Sequence, residues 1–368
     1  MSNNVDNRME WIRNLEDLNQ STDSSGWHEF EIHSECEICG MLDYDNGKIL
    51  CYPLTFQRDK NGLYTYLFRI KMSIKNLNIH RELDNKGYYF VGGISGELIS
   101  LLSLFFQCRF YLKAIYTFLS DVQKIKTEET FLYQECDKSI HPRIFDNRPR
   151  DFSELTNFLD LIRALERKKH LGFILACWHY ARSLRLVGID HNMVYVSLVS
   201  AIEALLEGHE INKSDNPLDG ENFEALFKDA LLDNEKKKQL KDILRVKRDG
   251  LIKIDKTTFK FKSFIKKYSI DFDDIRSEEV EDSPSNLYVA NSSLEKVLGS
   301  IYTARSIYLH SGEPMHISRF MNQISDWHFD PSCGGSVDNR KFSKGQKLPY
   351  HYWFENLVRH CLLKYLED

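Results

Sequence analysis

The stretch YTARSIYLHSGEP, residues 302–314, carries the reading on which the fold of the whole chain turns. At about 100° per residue, Leu294, Leu298, Ile301 and Tyr308 fall on one side of a helix, an apolar stripe of the kind that faces a core. Arg305 lies inside that stripe, about 20° from Leu294. An arginine there faces a packed interior or another subunit. It cannot be deprotonated, so it needs a carboxylate, backbone carbonyls or an anion such as phosphate. Gly312 is suited to the left-handed residue that closes a helix, and Pro314 forbids continuation. His310 therefore belongs to the last turn, where the partial negative charge of the helix end favours a cation.

Working outward, the same helix is expected to open at Ser292, with Glu295 three residues on as a capping box. Upstream, Phe152 to Lys169 and Leu171 to Val187 read as two helices broken near Gly172. Asp190 is a plausible N-cap for a helix ending at Gly208. Asn222 to Lys247 holds one or two more helices, and residues 269–286 form an acidic connection. A polar insertion with Gly334-Gly335 precedes a last helix, Tyr352 to Leu366. Residues 151–368 thus read as an all-α bundle.

The first part is mixed. Rough alternation surrounds Asp45-Asn46-Gly47, a strong hairpin signal. LYTYLFRIKMSI (63–74) and YYFVGG (88–93) are further strand candidates, and Glu97 to Val122 reads as a helix. Residues 139–154 hold two of the eight prolines and form the expected linker. The expected architecture is an α+β domain, 1–150, that senses or regulates, followed by the helical bundle, 151–368.

Composition narrows the function. The 368 residues are long enough for two domains, and a net charge of −5 excludes a globally basic nucleic-acid binder while allowing a local basic groove. The longest apolar run, Leu98 to Phe106, is 9 residues, too short to span a bilayer. The polar N-terminus lacks the apolar core of a signal peptide. Eight scattered cysteines do not read as a disulfide scaffold, so a reducing, cytoplasmic setting is expected.

The pattern of an arginine, four to six intervening residues and a histidine occurs three times, as Arg163/His170, Arg185/His191 and Arg305/His310. With 20 arginines and 13 histidines, about two such pairs arise by chance, so context must choose. The first pair reads as a solvated, charged helix end, and the second straddles a turn at Gly188. The third sits in the apolar stripe. If the helix frays at its end, a long arginine and a histidine there can converge on one phosphate. His310 would then move the proton of a ribose 2′-hydroxyl while Arg305 steadies the developing charge, with no metal required. The competing reading is a structural arginine paired inside the bundle beside a C-capping histidine.

RSIYLHSGE, with YVSLVSAIEALLEG (195–208) about 100 residues upstream and FENLVRHCLLKYLE (354–367) after it, resembles the HEPN domains, most of all the Apea-like branch of bacterial anti-phage proteins. The resemblance covers about residues 152–368. It implies a dimerising helical bundle in which Arg305 and His310 match the motif of metal-independent ribonucleases, with two subunits forming one site. Ser306 stands where active members often carry Asn, Asp or His. Glu203 stands where such helices often carry an acid; it shares a polar stripe with Ser197, Ser200 and Glu207. It reads either as an edge residue of a packed helix or as the carboxylate that holds Arg305.

Other candidates are weaker. Cys36-x-x-Cys39, near His28 and His33, could be half a zinc site, a pair of strand-embedded reduced thiols or a redox motif. GGISGE (92–97) reads as a strand-to-helix turn rather than a phosphate loop. Lys341, Lys344 and Lys347 could contact RNA, with Tyr350 or Trp353 stacking a base; a plain surface loop competes.

The expected function is a cytoplasmic, cofactor-free endoribonuclease of HEPN type, acting on RNA as a homodimer in anti-phage defence or toxin-like growth arrest. A phage-derived or regulatory activator would act on the N-terminal domain, and no membrane is involved. The alternative is an inactive HEPN scaffold that binds a nucleotide or a partner protein.

Overall fold

The computed structural model describes residues 8–20, 25–73, 92–118, 124–127, 150–206, 257–272, 294–315, 336–337, 340–341 and 351–368. The first part mixes helices with an antiparallel sheet of order β3-β4-β5-β1-β6-β7, built from β1 (Ser25–Ser34), β3 (Leu42–Tyr44), β4 (Ile49–Pro53), β5 (Tyr64–Ser73), β6 (Phe110–Phe118) and β7 (Lys124–Thr127). The β3–β4 hairpin turns where its sequence asks. Asp45, Asn46 and Gly47 all take positive φ, a conformation that Asn, Asp and Gly tolerate best. The Asp43 carboxylate accepts from the Gly47 amide at 2.8 Å.

Two helices line this sheet. α1 (Glu10–Gln20), which the sequence reading did not anticipate, buries Trp11, Ile12 and Leu15. α2 (Gly93–Phe106) is apolar nearly all round because it is covered on several sides: it packs on β6, α1 and the later helix Arg167–Leu186. Its serines are satisfied internally, Ser100 to the Gly96 carbonyl at 2.8 Å and Ser103 to that of Ile99 at 2.9 Å. Glu97 is buried and accepts from the amides of Glu10 and Trp11, which caps the start of α1. Burial, helped by the neighbouring Glu10, pushes its carboxyl up to about 8.

The expected single helix from Glu97 to Val122 is corrected. α2 stops at Phe106 because Gln107 turns left-handed, φ 54°, and the chain re-enters the sheet as β6, paired with β1 from Trp27↔Phe118 to Ser34↔Phe110. The run Phe110-Tyr111-Leu112 suits either helix or strand, and the neighbouring β1 decides. The strand expected at 88–93 lies outside the described residues except for Gly92 and Gly93.

Beyond residue 150 the described chain is mainly helical. A short β8 (Arg150–Asp151) pairs in parallel with β2 (Ile38–Cys39), and a 3-10 turn, Phe152–Glu154, leads into α3 (Leu155–Ala164). There follow α4 (Arg167–Leu186), α5 (His191–Glu203), α6 (257–268), α7 (Leu294–Ser311) and α8 (His351–Glu367). β9 (Ser336–Val337) and β10 (Arg340–Lys341) form a small ladder of their own, so this half is not purely helical. Asp190 caps α5 as expected, accepting from the Met193 amide at 3.1 Å.

Two sequence expectations fall here. The linker expected over 139–154 fails for its described part: Phe152 is fully buried, with its ring 5.1 Å from Tyr66 and 5.6 Å from Phe106. The helix break lies at Leu165–Glu166 rather than Gly172, which sits inside α4. Gly172 is there for closeness, since a Cβ on it would stand 2.8 Å from the Ala204 carbonyl oxygen at the end of α5. Gly172→Val should therefore destabilise the chain by about 1–3 kcal/mol in urea unfolding, an overpacking cost; an unchanged midpoint would refute the close approach. α6 was not foreseen, and the helix expected at 222–247 lies outside the described residues.

The two halves share one contiguous core, and a polar junction reinforces it. Arg359 of α8 donates to the Leu104 and Phe105 carbonyls at the end of α2, at 2.8 and 2.5 Å. Gln107 donates to Glu355 of α8 at 2.9 Å, and Tyr180 of α4 donates to the same buried carboxylate. The cationic Arg359 meets the negative end of α2, which satisfies carbonyls the helix itself leaves open.

Candidate functional site: the end of helix α7

The helix α7 packs as its stripe predicts. Leu298 and Ile301 are fully buried, and Tyr302 is nearly so. Arg305 keeps one fifth of its side chain exposed and donates from Nη2 to Glu203 Oε2 at 2.5 Å. The other oxygen of Glu203 accepts from the Tyr302 hydroxyl at 2.8 Å. The Arg305 guanidinium also lies 5.6 Å from the centroid of the Tyr302 ring, close enough for a cation–π attraction. Burial and the bond to Glu203 push the Tyr302 phenol well up, so it stays a donor.

Tyr302, Arg305 and Glu203 thus form a unit across two helices. Each part has a local cause. Tyr302 and Arg305 are three residues apart, neighbours on one helix face. Glu203 is the last residue of α5, brought in by the α4–α5 approach at Gly172. Phe261 of α6 braces the unit from behind, fully buried and 5.2 Å from the Tyr302 ring. Sequence reading found Arg305 and Glu203 but missed Tyr302 and Phe261. The signal for Tyr302 was its position three residues before the arginine; Phe261 had none within its own segment.

His310 is exposed on the last turn. The helix does not fray there: it runs to Ser311, and Gly312 closes it with φ 69°, its amide bonded to the Tyr308 carbonyl at 2.9 Å. In a regular helix His310 points about 140° from Arg305. Convergence of the two on one phosphate within a single chain, expected from a frayed end, is therefore corrected. Ser306, between them, is half-buried. Near His310 on the same helix, Ile307 and Leu309 are exposed at 43% and 48%. The segment after α7 is tied down, since the Met315 amide donates to Asn192 of α5 at 2.8 Å.

The remaining candidates divide. Ser197 of the presumed polar stripe is buried, and Glu207 lies outside the described residues. His170, expected to be solvated beside Arg163, is also buried, and burial lowers its pKa. Trp353 is buried against Phe272 and cannot offer a face to a base. Lys341 ends β10, whereas Lys344, Lys347 and Tyr350 lie outside the described residues. The capping box at Ser292 does too, and Glu295 instead pairs with Lys266 of α6 at 2.7 Å.

The zinc candidate is overturned. Cys36 is joined to Cys108 by a disulfide, their Cα atoms 6.5 Å apart, so its sulfur is not a metal ligand. Cys39 is free and exposed, and no group of three metal-binding side chains occurs among the described residues. The expectation of reduced thiols throughout fails at this pair, because a spacing of 72 residues conceals that the α2–β6 junction returns Cys108 to Cys36. Among the described residues no helix is long and apolar enough to cross a membrane.

Comparison with protein-family models, curated proteins and solved structures gives no match to this chain.

Proposed function

We propose that the chain is a metal-independent endoribonuclease of HEPN type, acting as a homodimer on RNA in defence against phage or in toxin-like growth arrest. The observation that carries the reading is the guanidinium of Arg305, held by Glu203 and Tyr302 on the helix that ends in an exposed His310. A positioned, permanently charged donor is what a developing phosphorane needs, and its geometry is prepaid by the carboxylate behind it.

Because His310 and Arg305 diverge on one helix, the site is composite in this reading. A second copy docks on the apolar end of α7, over Ile307 and Leu309, and the two helix ends complete one centre. The 2′-oxygen attacks the adjacent phosphorus as His310 or its partner-subunit counterpart takes the proton. The bond from phosphorus to the 5′-oxygen breaks, and that oxygen is protonated by the other imidazole. The products are a 2′,3′-cyclic phosphate and a free 5′-hydroxyl. Arg305 neutralises charge on the non-bridging oxygens throughout.

The test is incubation of the purified protein with RNA in EDTA, beside His310→Ala. Wild type should leave 2′,3′-cyclic ends, and the variant should be slower by about 10²–10⁴-fold, the usual share of general acid–base catalysis. Cleavage abolished by EDTA, or an unaffected His310→Ala, would overturn the proposal. A strict monomer at cleaving concentrations would overturn its two-subunit form. An inactive scaffold would bind RNA or nucleotide with no cleavage by either protein.

A further inference from the structure

A second basic feature lies on a helix other than the one that carries Arg305. On α4 a half-buried stripe carries Trp178, His179, Arg182 and Arg185. The helix RKKHLGFILACWHYARSLRL contains no aspartate or glutamate, and neither does the strand β6, FYLKAIYTF. The Arg182 guanidinium stacks 5.5 Å from the centre of the Trp178 ring, which fixes it in place without neutralising it. Burial lowers the Arg185 pKa, Tyr111 of β6 acts to raise it, and Arg182, one turn away, lowers it again.

This differs from the treatment of several other arginines in the molecule. Arg8, Arg69, Arg109 and Arg305 each pair with a glutamate, and Arg359 caps carbonyls. Among the described residues, Arg182 and Arg185 have no carboxylate partner. Like charges one turn apart on a helix are destabilising, and a half-buried guanidinium without a counterion has lost much of its hydration. The negative end of α4 favours a cation in its last turn, which accounts for Arg185 alone. It does not explain a second cation at Arg182, nor the buried Nδ1 of His179, which has no hydrogen-bond partner among the described residues. Burial, with Arg182 adding to it, lowers the His179 pKa to about 4, so this imidazole stays neutral and leaves both guanidinium charges to an incoming anion.

We infer that Arg182 and Arg185 form a binding site for a phosphate group, delivered either as a free phosphate-bearing small molecule or by a polynucleotide strand. Two guanidinium groups one turn apart present several N–H donors to one tetrahedral anion, the geometry for which arginine exceeds lysine. The bound anion would remove the repulsion that the empty helix carries.

The experiment uses the full chain and the double variant Arg182→Gln/Arg185→Gln, both in a His310→Ala background so that RNA stays intact. Thermal unfolding is followed with and without inorganic phosphate, with sodium chloride matched for ionic strength. Binding of a short single-stranded oligoribonucleotide is followed by fluorescence anisotropy at several salt concentrations. Phosphate should raise the melting temperature of the parent and not of the double variant. The double variant should bind the oligoribonucleotide about tenfold more weakly with a shallower salt dependence. Loss of the phosphate response alone assigns a free phosphate ligand; loss of RNA affinity alone assigns a polynucleotide. Without ligand the double variant should melt no lower than the parent. If both responses survive the substitutions, or neither probe binds the parent, the inference fails. If the double variant does not fold, Arg182→Gln alone is read in the same way. The phosphate response is also read in Arg305→Ala: a response lost there but kept in the double variant places the anion at Arg305 and overturns this inference without touching the cleavage proposal.

Discussion

Arg305→Ala is expected to lower the initial rate of RNA cleavage by about 10²–10³-fold, the cost of removing one donor aimed at developing charge. Unfolding free energy should change by only about 0–1 kcal/mol. The ion pair with Glu203 is one-fifth exposed on both sides, and such pairs contribute little in water. Glu203 moreover keeps its bond from Tyr302 when the arginine is gone. Arg305→Lys should not rescue, because an ammonium lacks the planar fork that meets two oxygens. Glu203→Gln should cost about tenfold, since it loosens the guanidinium without deleting it. The double variant should be no slower than Arg305→Ala, because residues acting through one another are not additive. Rates from gel-resolved cleavage, with urea unfolding on the same proteins, separate the possibilities. If Arg305→Ala instead unfolds the chain while Glu203→Gln cleaves normally, the pair is a structural tie.

Phe152→Ala should destabilise the whole molecule by about 3–5 kcal/mol, read as the shift of a urea transition. The side chain is fully buried between Tyr66 of the sheet and Phe106 of α2. Removing it leaves a cavity and deletes two edge-to-face contacts. A residue in an exposed linker would change stability by less than about 0.5 kcal/mol, so the two readings of this stretch differ several-fold. Because the core is contiguous, the sheet and the bundle should unfold in one transition that moves as a unit. Two separate transitions, with only one of them shifted, would show that the halves are independent.

The chemistry around Arg305 was partly legible. Its place in an apolar stripe demanded a partner, since a buried guanidinium is costly alone. Which partner was not legible: Glu203 stands 102 residues away, and many other acids in the chain could have served. The divergence of His310 was legible in the helical repeat, but whether the helix frayed depended on how Gly312 and Ser311 closed it. Those contacts form only once the turn is built.

What the amino-acid sequence determined by itself was local. The Asp45-Asn46-Gly47 turn, the Asp190 cap and the end of α7 at Gly312 each follow from backbone preferences spanning a few residues. Tertiary structure decided the rest. It drew Phe110–Phe118 into the sheet as a strand, kept Gly172 inside a helix for the sake of Ala204, joined Cys36 to Cys108 and buried Phe152 at the junction. The physical reason is the range of the forces. Turn and cap preferences act between neighbours, while burial and strand pairing depend on surfaces that distant segments create only when the chain closes on itself.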